Sequence, residues 1–250
     1  MGLLPDYSKQ ALRYDDTRAA SPSALRVLRR ALESAPGRRL LDIGGGTGNY
    51  AVALKRDGWE PAVVDRSRQM LARAAAKGLE TVHADAQRLP FADQSMRAIL
   101  MTNVLHHIPD ARRFFAEASR CVRPGGRLLM IEPWLTSWSR FVYRHLHAEA
   151  FSPEAPDWSF ASMGPLSGAN TALPWIVFAR DGSKFESEFP EFSIETIQPM
   201  LPFRYLVSGG VSMRNLVPGF THSAWKAFER MLQSQMPRLG TFAFIALLRR

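Results

Sequence analysis

Between Arg38 and about Glu132, short apolar runs alternate with amphipathic ones, and this alternation restricts the fold more than any other feature of the chain. "RRLLDIG" reads as a buried strand and "TGNYAVALKRDG" as a helix stopped at Gly58. "EPAVVD", "ETVHAD", "RAILMTNV" and "RLLMIEP" supply four further strands, with helices in "SRQMLARAAAKG" and "PDARRFFAEASRCVRPGG". Strands interleaved with helices imply βαβ crossovers and a parallel, doubly wound sheet. Ahead of them, "SPSALRVLRRALESAPG" predicts a capped helix. Ser21 takes the N-cap, Pro22 the first turn, and Leu25, Leu28 and Leu32 one face.

The turn after the first strand, "DIGGGTGN", asks what its backbone holds. Doubly wound sheets bind ligands at the carboxyl ends of their strands, where glycines let a ligand approach the main chain. A phosphate-binding P-loop is excluded because no Lys-Ser/Thr follows the glycines. The dinucleotide fingerprint fails at its third glycine, where Asn49 stands. Asp42, at the end of the strand, would repel a pyrophosphate but suits a ligand carrying an amino group and a sulfonium.

The ordered set Asp42, Gly44, Gly46 and Gly48 resembles the first motif of class I S-adenosylmethionine-dependent methyltransferases. Further segments are similar to that family in order. Asp65, followed by Arg66, ends the second strand where the resemblance implies ribose contacts, although Asp65 would equally cap the next helix. Asp85 and Ala86 match the adenine contact, and Asn103 and Val104 the segment beside the reactive sulfonium. Upstream, "RYDDTRAASP" resembles an element that closes over the cofactor, with Tyr14 against the sulfonium and Arg18 against the carboxylate.

The resemblance implies an α/β, Rossmann-like, doubly wound, mostly parallel seven-stranded sheet with an antiparallel last strand and a lid insertion. Residues 1–133 would form the N-terminal cap and cofactor-binding core, 134–190 the lid, and 191–250 the closing strands. "FRYLVSGG" is expected to return to the sheet and "GTFAFIALLRR" to end it. Trp134, Trp138, Trp158, Phe160, Trp175 and Phe178 would give the insertion aromatic walls for a hydrophobic acceptor.

Methyl transfer is an in-line displacement that depends on alignment, and a hydroxyl acceptor also needs a base. His106 is one candidate. The other is His145, which shares a helical stripe with Trp138, Phe141 and Val142 in "TSWSRFVYRHLH". The Asn/Asp-Pro-Pro-aromatic motif of nucleic-acid amino-methyltransferases is replaced by "NVLH", so a small-molecule acceptor is expected rather than nucleic acid. A net charge of +9 comes from scattered arginines rather than a binding arm, which leaves peripheral membrane contact open. The lone Cys121 suits a reducing, cytoplasmic setting, and no apolar run reaches spanning length. No metal is expected.

Overall fold

The computed structural model describes residues 15, 19–33, 35, 37–147, 149–161, 168–203, 225, 227–228 and 231–250. Seven strands form one sheet: β1 (Arg39–Ile43), β2 (Glu60–Asp65), β3 (Glu80–His83), β4 (Met96–Thr102), β5 (Val122–Pro133), β6 (Phe192–Met200) and β7 (Phe242–Arg249). Their order is 3-2-1-4-5-7-6. The first five strands are mutually parallel, and β7 runs antiparallel to both β5 and β6. The chain reverses its order at β1 and β4, so the carboxyl ends of these two strands flank the crevice where such sheets bind ligands.

The strand sequences explain the layering. Leu40, Ala98, Leu100, Leu129 and Ile131 face one side, together with Leu28 and Leu32 of α1 (Pro22–Leu32). The alternate residues Leu41, Ile43, Ile99, Met101, Leu128 and Met130 face the other. There they meet Phe114, Phe115 and Ala118 of α4 (Ala111–Cys121). Period-two alternation on strands buried on both faces reads in sequence as a continuous apolar run. Helices α2 (Asn49–Arg56) and α3 (Arg68–Ala76) complete the β1–β3 crossovers. Each is followed by a glycine at positive φ, Gly58 at 86° and Gly78 at 74°.

The return to the sheet differs from expectation. Its strand is "FSIETIQPM", while most of "FRYLVSGG" lies outside the described residues. A bulge between Ile194 and Thr196 displaces the alternation, so Phe192 and Ile194 pair in one register and Ile197 in another. This irregularity hides the strand from a period-two reading.

The inserted segment is helical and shares the sheet's core. A turn at Leu173–Trp175 passes into a π-helical turn at Ile176–Arg180 and then into α6 (Gly182–Glu188). Trp158, Phe178 and Phe185 are buried against α4, and Phe115 contacts both phenylalanines edge-on, at 5.7 and 5.1 Å between ring centres. Main-chain bonds stitch the segment to the start of α4: Ala111 N–H donates to Trp158, and Phe160 N–H to Pro109. Trp134, Trp158 and Phe178 are therefore core residues rather than walls of an acceptor pocket. No described helix is long and apolar enough to cross a membrane.

Phe115→Ala should be among the most damaging core substitutions, because its ring sits among Phe114, Phe178, Phe185 and Phe189. A loss of about 3–5 kcal/mol in urea denaturation is expected.

Candidate active site

The glycine turn is shaped from beneath by side chains. A Cβ on Gly44 would lie 2.5 Å from Val104, and one on Gly48 2.3 Å from Leu79. At Gly45 it would lie 2.6 Å from the Asp42 carboxylate. Gly46 is different: φ is +56°, and the nearest atom to a Cβ would be the sulfur of Met70 at 4.0 Å. Three glycines thus allow the turn to pack down, and the fourth leaves its outer face clear for a ligand.

Asp42 is 1% exposed, and neither carboxylate oxygen makes a well-formed hydrogen bond among the described residues, the Ala51 backbone N–H being the weak contact it has. Burial pushes its carboxyl up to about 7, and the neighbouring charge of Asp65 acts in the same direction against the Ala51 backbone N–H. Asp65 is better served. It accepts from Gly46 N–H at 3.0 Å and from Ser67 N–H at 2.7 Å, tying the glycine turn to the end of β2. Burial raises its pKa as well, opposed by these backbone bonds. The cap of α3 is Ser67, whose hydroxyl accepts from Met70 N–H, so Asp65 is not needed for capping.

The remaining expected cofactor residues lie along the same edge. Arg66 pairs with Asp85 at 3.7 Å, and Asp85 also accepts from Gln87 N–H. Ala86 is buried beside them. Asn103 holds a left-handed φ of 60° while donating its N–H to Ile131, an uncommon backbone for a non-glycine residue. Tyr14 and Arg18 lie outside the described residues. Asp15, between them in sequence, docks on the turn: it accepts from the Thr47 hydroxyl and pairs with Lys77 at 2.8 Å.

A second cluster, not foreseen from the sequence apart from His106, forms where β4 ends. Glu132, wholly buried on β5, accepts from Val104 N–H at 2.7 Å and Leu105 N–H at 2.9 Å through one oxygen. Its other oxygen accepts from His106 Nδ1 at 2.7 Å. Across the ring, His106 Nε2 lies 3.5 Å from Glu149, and His107 Nε2 lies 3.8 Å from the same carboxylate. Burial opposes a charged His106, but Glu132 and Glu149 outweigh it and raise its pKa. Burial, with His106 adding to it, pushes His107 down to about 4. Asn170 clamps the insertion onto this turn, its N–H donating to the His106 carbonyl.

The structure does not join His145 to this cluster. On α5 (Ser137–His145) the buried residues are Ser139, Val142 and Tyr143. Phe141 is 50% exposed, and His145, also exposed, rests against it at 5.0 Å. Trp138 faces Phe203 and donates its indole N–H to Pro202. The stripe read as pocket lining is divided: Phe141 and His145 lie on the exposed side, Trp138 is half-buried and Val142 is buried, while Thr136 and Ser139 form a capping box at the start of the helix. Glu132 closes an apolar strand and Glu149 stands in an irregular segment, so neither carried a motif.

Comparison with known proteins agrees with this geometry. The family described as "Methyltransferase domain" matches residues 41–130. A demethylmenaquinone methyltransferase of Mycolicibacterium paratuberculosis is 38% identical over 107 residues, 43% of this chain and 46% of the relative. One from Mycobacterium bovis is 33% identical over 141 residues, covering 52% and 60%. The chain therefore spans about half the length of the curated relatives it matches. Among solved structures, geranyl diphosphate C-methyltransferase from Streptomyces coelicolor, complexed with Mg2+, geranyl diphosphate and S-adenosyl-L-homocysteine, superposes with a TM-score of 0.60. Its sequence identity is 17%, and the match covers 98% of this chain and 84% of that one. The fold is that of the class I methyltransferases. Residues 41–130 thus match a methyltransferase domain, and the chain shares its fold with an S-adenosylmethionine-dependent methyltransferase from Mesorhizobium loti at a TM-score of 0.56 and 18% identity, covering 90% of this chain and 96% of that one.

S-adenosylmethionine, the cofactor that the matched methyltransferase domain and fold imply, fits the residues present. A buried carboxylate without a well-formed hydrogen bond at Asp42 matches a cationic ligand, and the clear face of Gly46 accommodates one. The unfolded Asp42 carboxyl titrates near 3.8 and the folded one near 7, so the folded chain holds an extra proton between these values. Cofactor-free stability should fall as pH rises through this window and level off above it. In Asp42→Asn this component of the slope should vanish, and the cofactor-free protein at pH 8 should gain on the order of 2 kcal/mol. Urea titrations from pH 4 to pH 8 would check both effects.

Proposed function

We propose that this chain transfers a methyl group from S-adenosylmethionine to a hydroxyl-bearing aromatic small molecule of the quinol class. The observation that carries the reading is the buried Asp42, without a well-formed hydrogen bond, beneath a glycine turn whose outer face is clear. When bound, the cofactor supplies an electrophilic methyl on a sulfonium. The chain's own contribution is electrostatic and positional. Asp42 and Asp65 complement the cationic and ribose parts, with Asp85 and Ala86 on the adenine side. Asn103 and Val104 lie where β4 meets the reacting centre. The His106–Glu149 corner, three residues beyond Asn103, receives the acceptor's polar group. Residues 134–190 act as the acceptor-side element.

Two relatives bearing the name demethylmenaquinone methyltransferase support a quinone-type acceptor. Oxygen is the favoured site of transfer because the polar corner would meet a hydroxyl. A second reading, transfer to a ring carbon, rests on the same acceptor class, since the charge of a phenolate oxygen is shared with its ring.

Calorimetry with S-adenosylmethionine and with NAD should show binding of the first and none of the second; the reverse would overturn the reading. Asp65→Ala should weaken cofactor binding roughly 10- to 100-fold, since hydrogen bonds to a charged group contribute about 1.5–3 kcal/mol. Incubation with deuteromethyl-labelled cofactor and a panel of hydroxylated naphthalenes and benzenes, read by mass spectrometry and NMR, would identify acceptor and atom. His106→Gln should reduce turnover by roughly 10²–10⁴ while leaving cofactor affinity intact.

A further inference from the structure

We propose that His106, His107 and Glu149 form a binding site for one divalent transition-metal ion of the zinc type, with a coordination position left open on the acceptor side. The three side chains offer ligand atoms that all lie within 4.8 Å of one another. The pairs centred on the Glu149 carboxylate are closer, at 3.5 Å from His106 Nε2 and 3.8 Å from His107 Nε2. Ligand atoms about 2.0–2.1 Å from a tetrahedral metal stand about 3.4 Å apart, so little closure separates this arrangement from coordination geometry.

The supporting shell is that of a ligating histidine. The Nδ1–H of His106 is committed to Glu132 at 2.7 Å, which fixes the ring and directs Nε2 toward Glu149. The His107 ring has a backbone hydrogen bond with Gly168. Glu149 is positioned by its own N–H, which donates to His147 Nδ1 at 3.2 Å. A shared proton would account for one histidine beside one carboxylate. Two imidazole Nε2 atoms facing the two oxygens of one carboxylate place three electron-pair donors around a single point, where one cation could accept from all of them. Nitrogen donors select zinc, cobalt or nickel over magnesium or calcium.

Exposure separates the two sides of the cluster. His106 is buried, whereas the side chains of His107 and Glu149 are 33% and 30% exposed. Three protein ligands with one accessible side is the composition of a catalytic rather than a structural zinc site. In terms of the function proposed above, on which this role rests, an acceptor hydroxyl entering the open position would release its proton to solvent. It would then present an oxyanion for methylation.

The test is made on the full chain, freed of metal with a chelator and with neither cofactor nor acceptor present. Zn2+ is titrated by calorimetry and Co2+ by visible absorption. One equivalent per chain, with the intense bands of four-coordinate cobalt, is expected. Glu149→Gln and His107→Ala should each weaken binding at least tenfold, and Glu132→Gln by about 10- to 100-fold. His145→Ala, on the outer face of α5, should leave it unchanged. Circular dichroism confirms that each variant is folded, and the conservative Glu149→Gln serves if the alanine variant is not. Binding no tighter than millimolar, or equal affinity in wild type, Glu149→Gln and His107→Ala, would overturn the site. Metal binding without methylation of any acceptor would support the site and count against the proposed activity; methylation without metal binding would do the reverse.

Discussion

The carboxylate of Glu132 organises the carboxyl edge of the sheet. It enters from β5, has no exposed surface, and accepts hydrogen bonds from Val104, Leu105 and His106. Two of these donors are main-chain groups that a tight turn would otherwise leave unpaired, so the carboxylate determines where the chain goes on leaving β4. The left-handed Asn103 lies immediately before this turn, with its own N–H bound to β5 at Ile131. Removing the acid would leave buried donors without acceptors as well as freeing one imidazole. The conformation of Asn103–His107 is thus imposed by a strand that follows it in the chain.

The cofactor edge is built on the opposite energetic principle. At Glu132 a buried acid is saturated with donors; at Asp42 a buried acid has no well-formed hydrogen bond among the described residues. Its close neighbour Asp65 spends both oxygens on the backbone, one of them on the glycine turn. The fold accepts an electrostatic penalty at the end of β1 and arranges the adjoining turn so that only Gly46 presents an open face. A site that is costly in isolation gains most from a complementary charge, a familiar opposition between stability and function.

The parallel half of the fold was legible because its signals are local. Apolar runs, capping residues and terminating glycines each act within a few residues, and β1 to β5 follow them. β6 was missed because its bulge breaks the alternation that identifies a strand. The residues read as cofactor contacts came from ordered spacing, and Asp42, Asp65, Asp85, Ala86, Asn103 and Val104 lie together along the carboxyl edge in the structure. The His106 cluster was not legible in this way. His106 depends on Glu132 and Glu149, 26 and 43 positions away, and no periodicity links them. For the aromatic stripe of α5, hydrophobic spacing defines a face without saying what covers it. The side chains that α5 buries are Ser139, Val142 and Tyr143.

The insertion after β5 has a consequence for how such a protein can diversify. Trp158, Phe178 and Phe185 share one core with α4, and main-chain bonds join residues 158–160 to residues 109–111. The segment that would meet the acceptor is therefore not a module that can be exchanged between relatives like a loop on a rigid platform. Transplanting it alone would bring foreign rings against Phe114 and Phe115. Under the proposed function, altering acceptor preference calls for changes on the exposed side of the segment, or for matched changes in the insertion and α4 together.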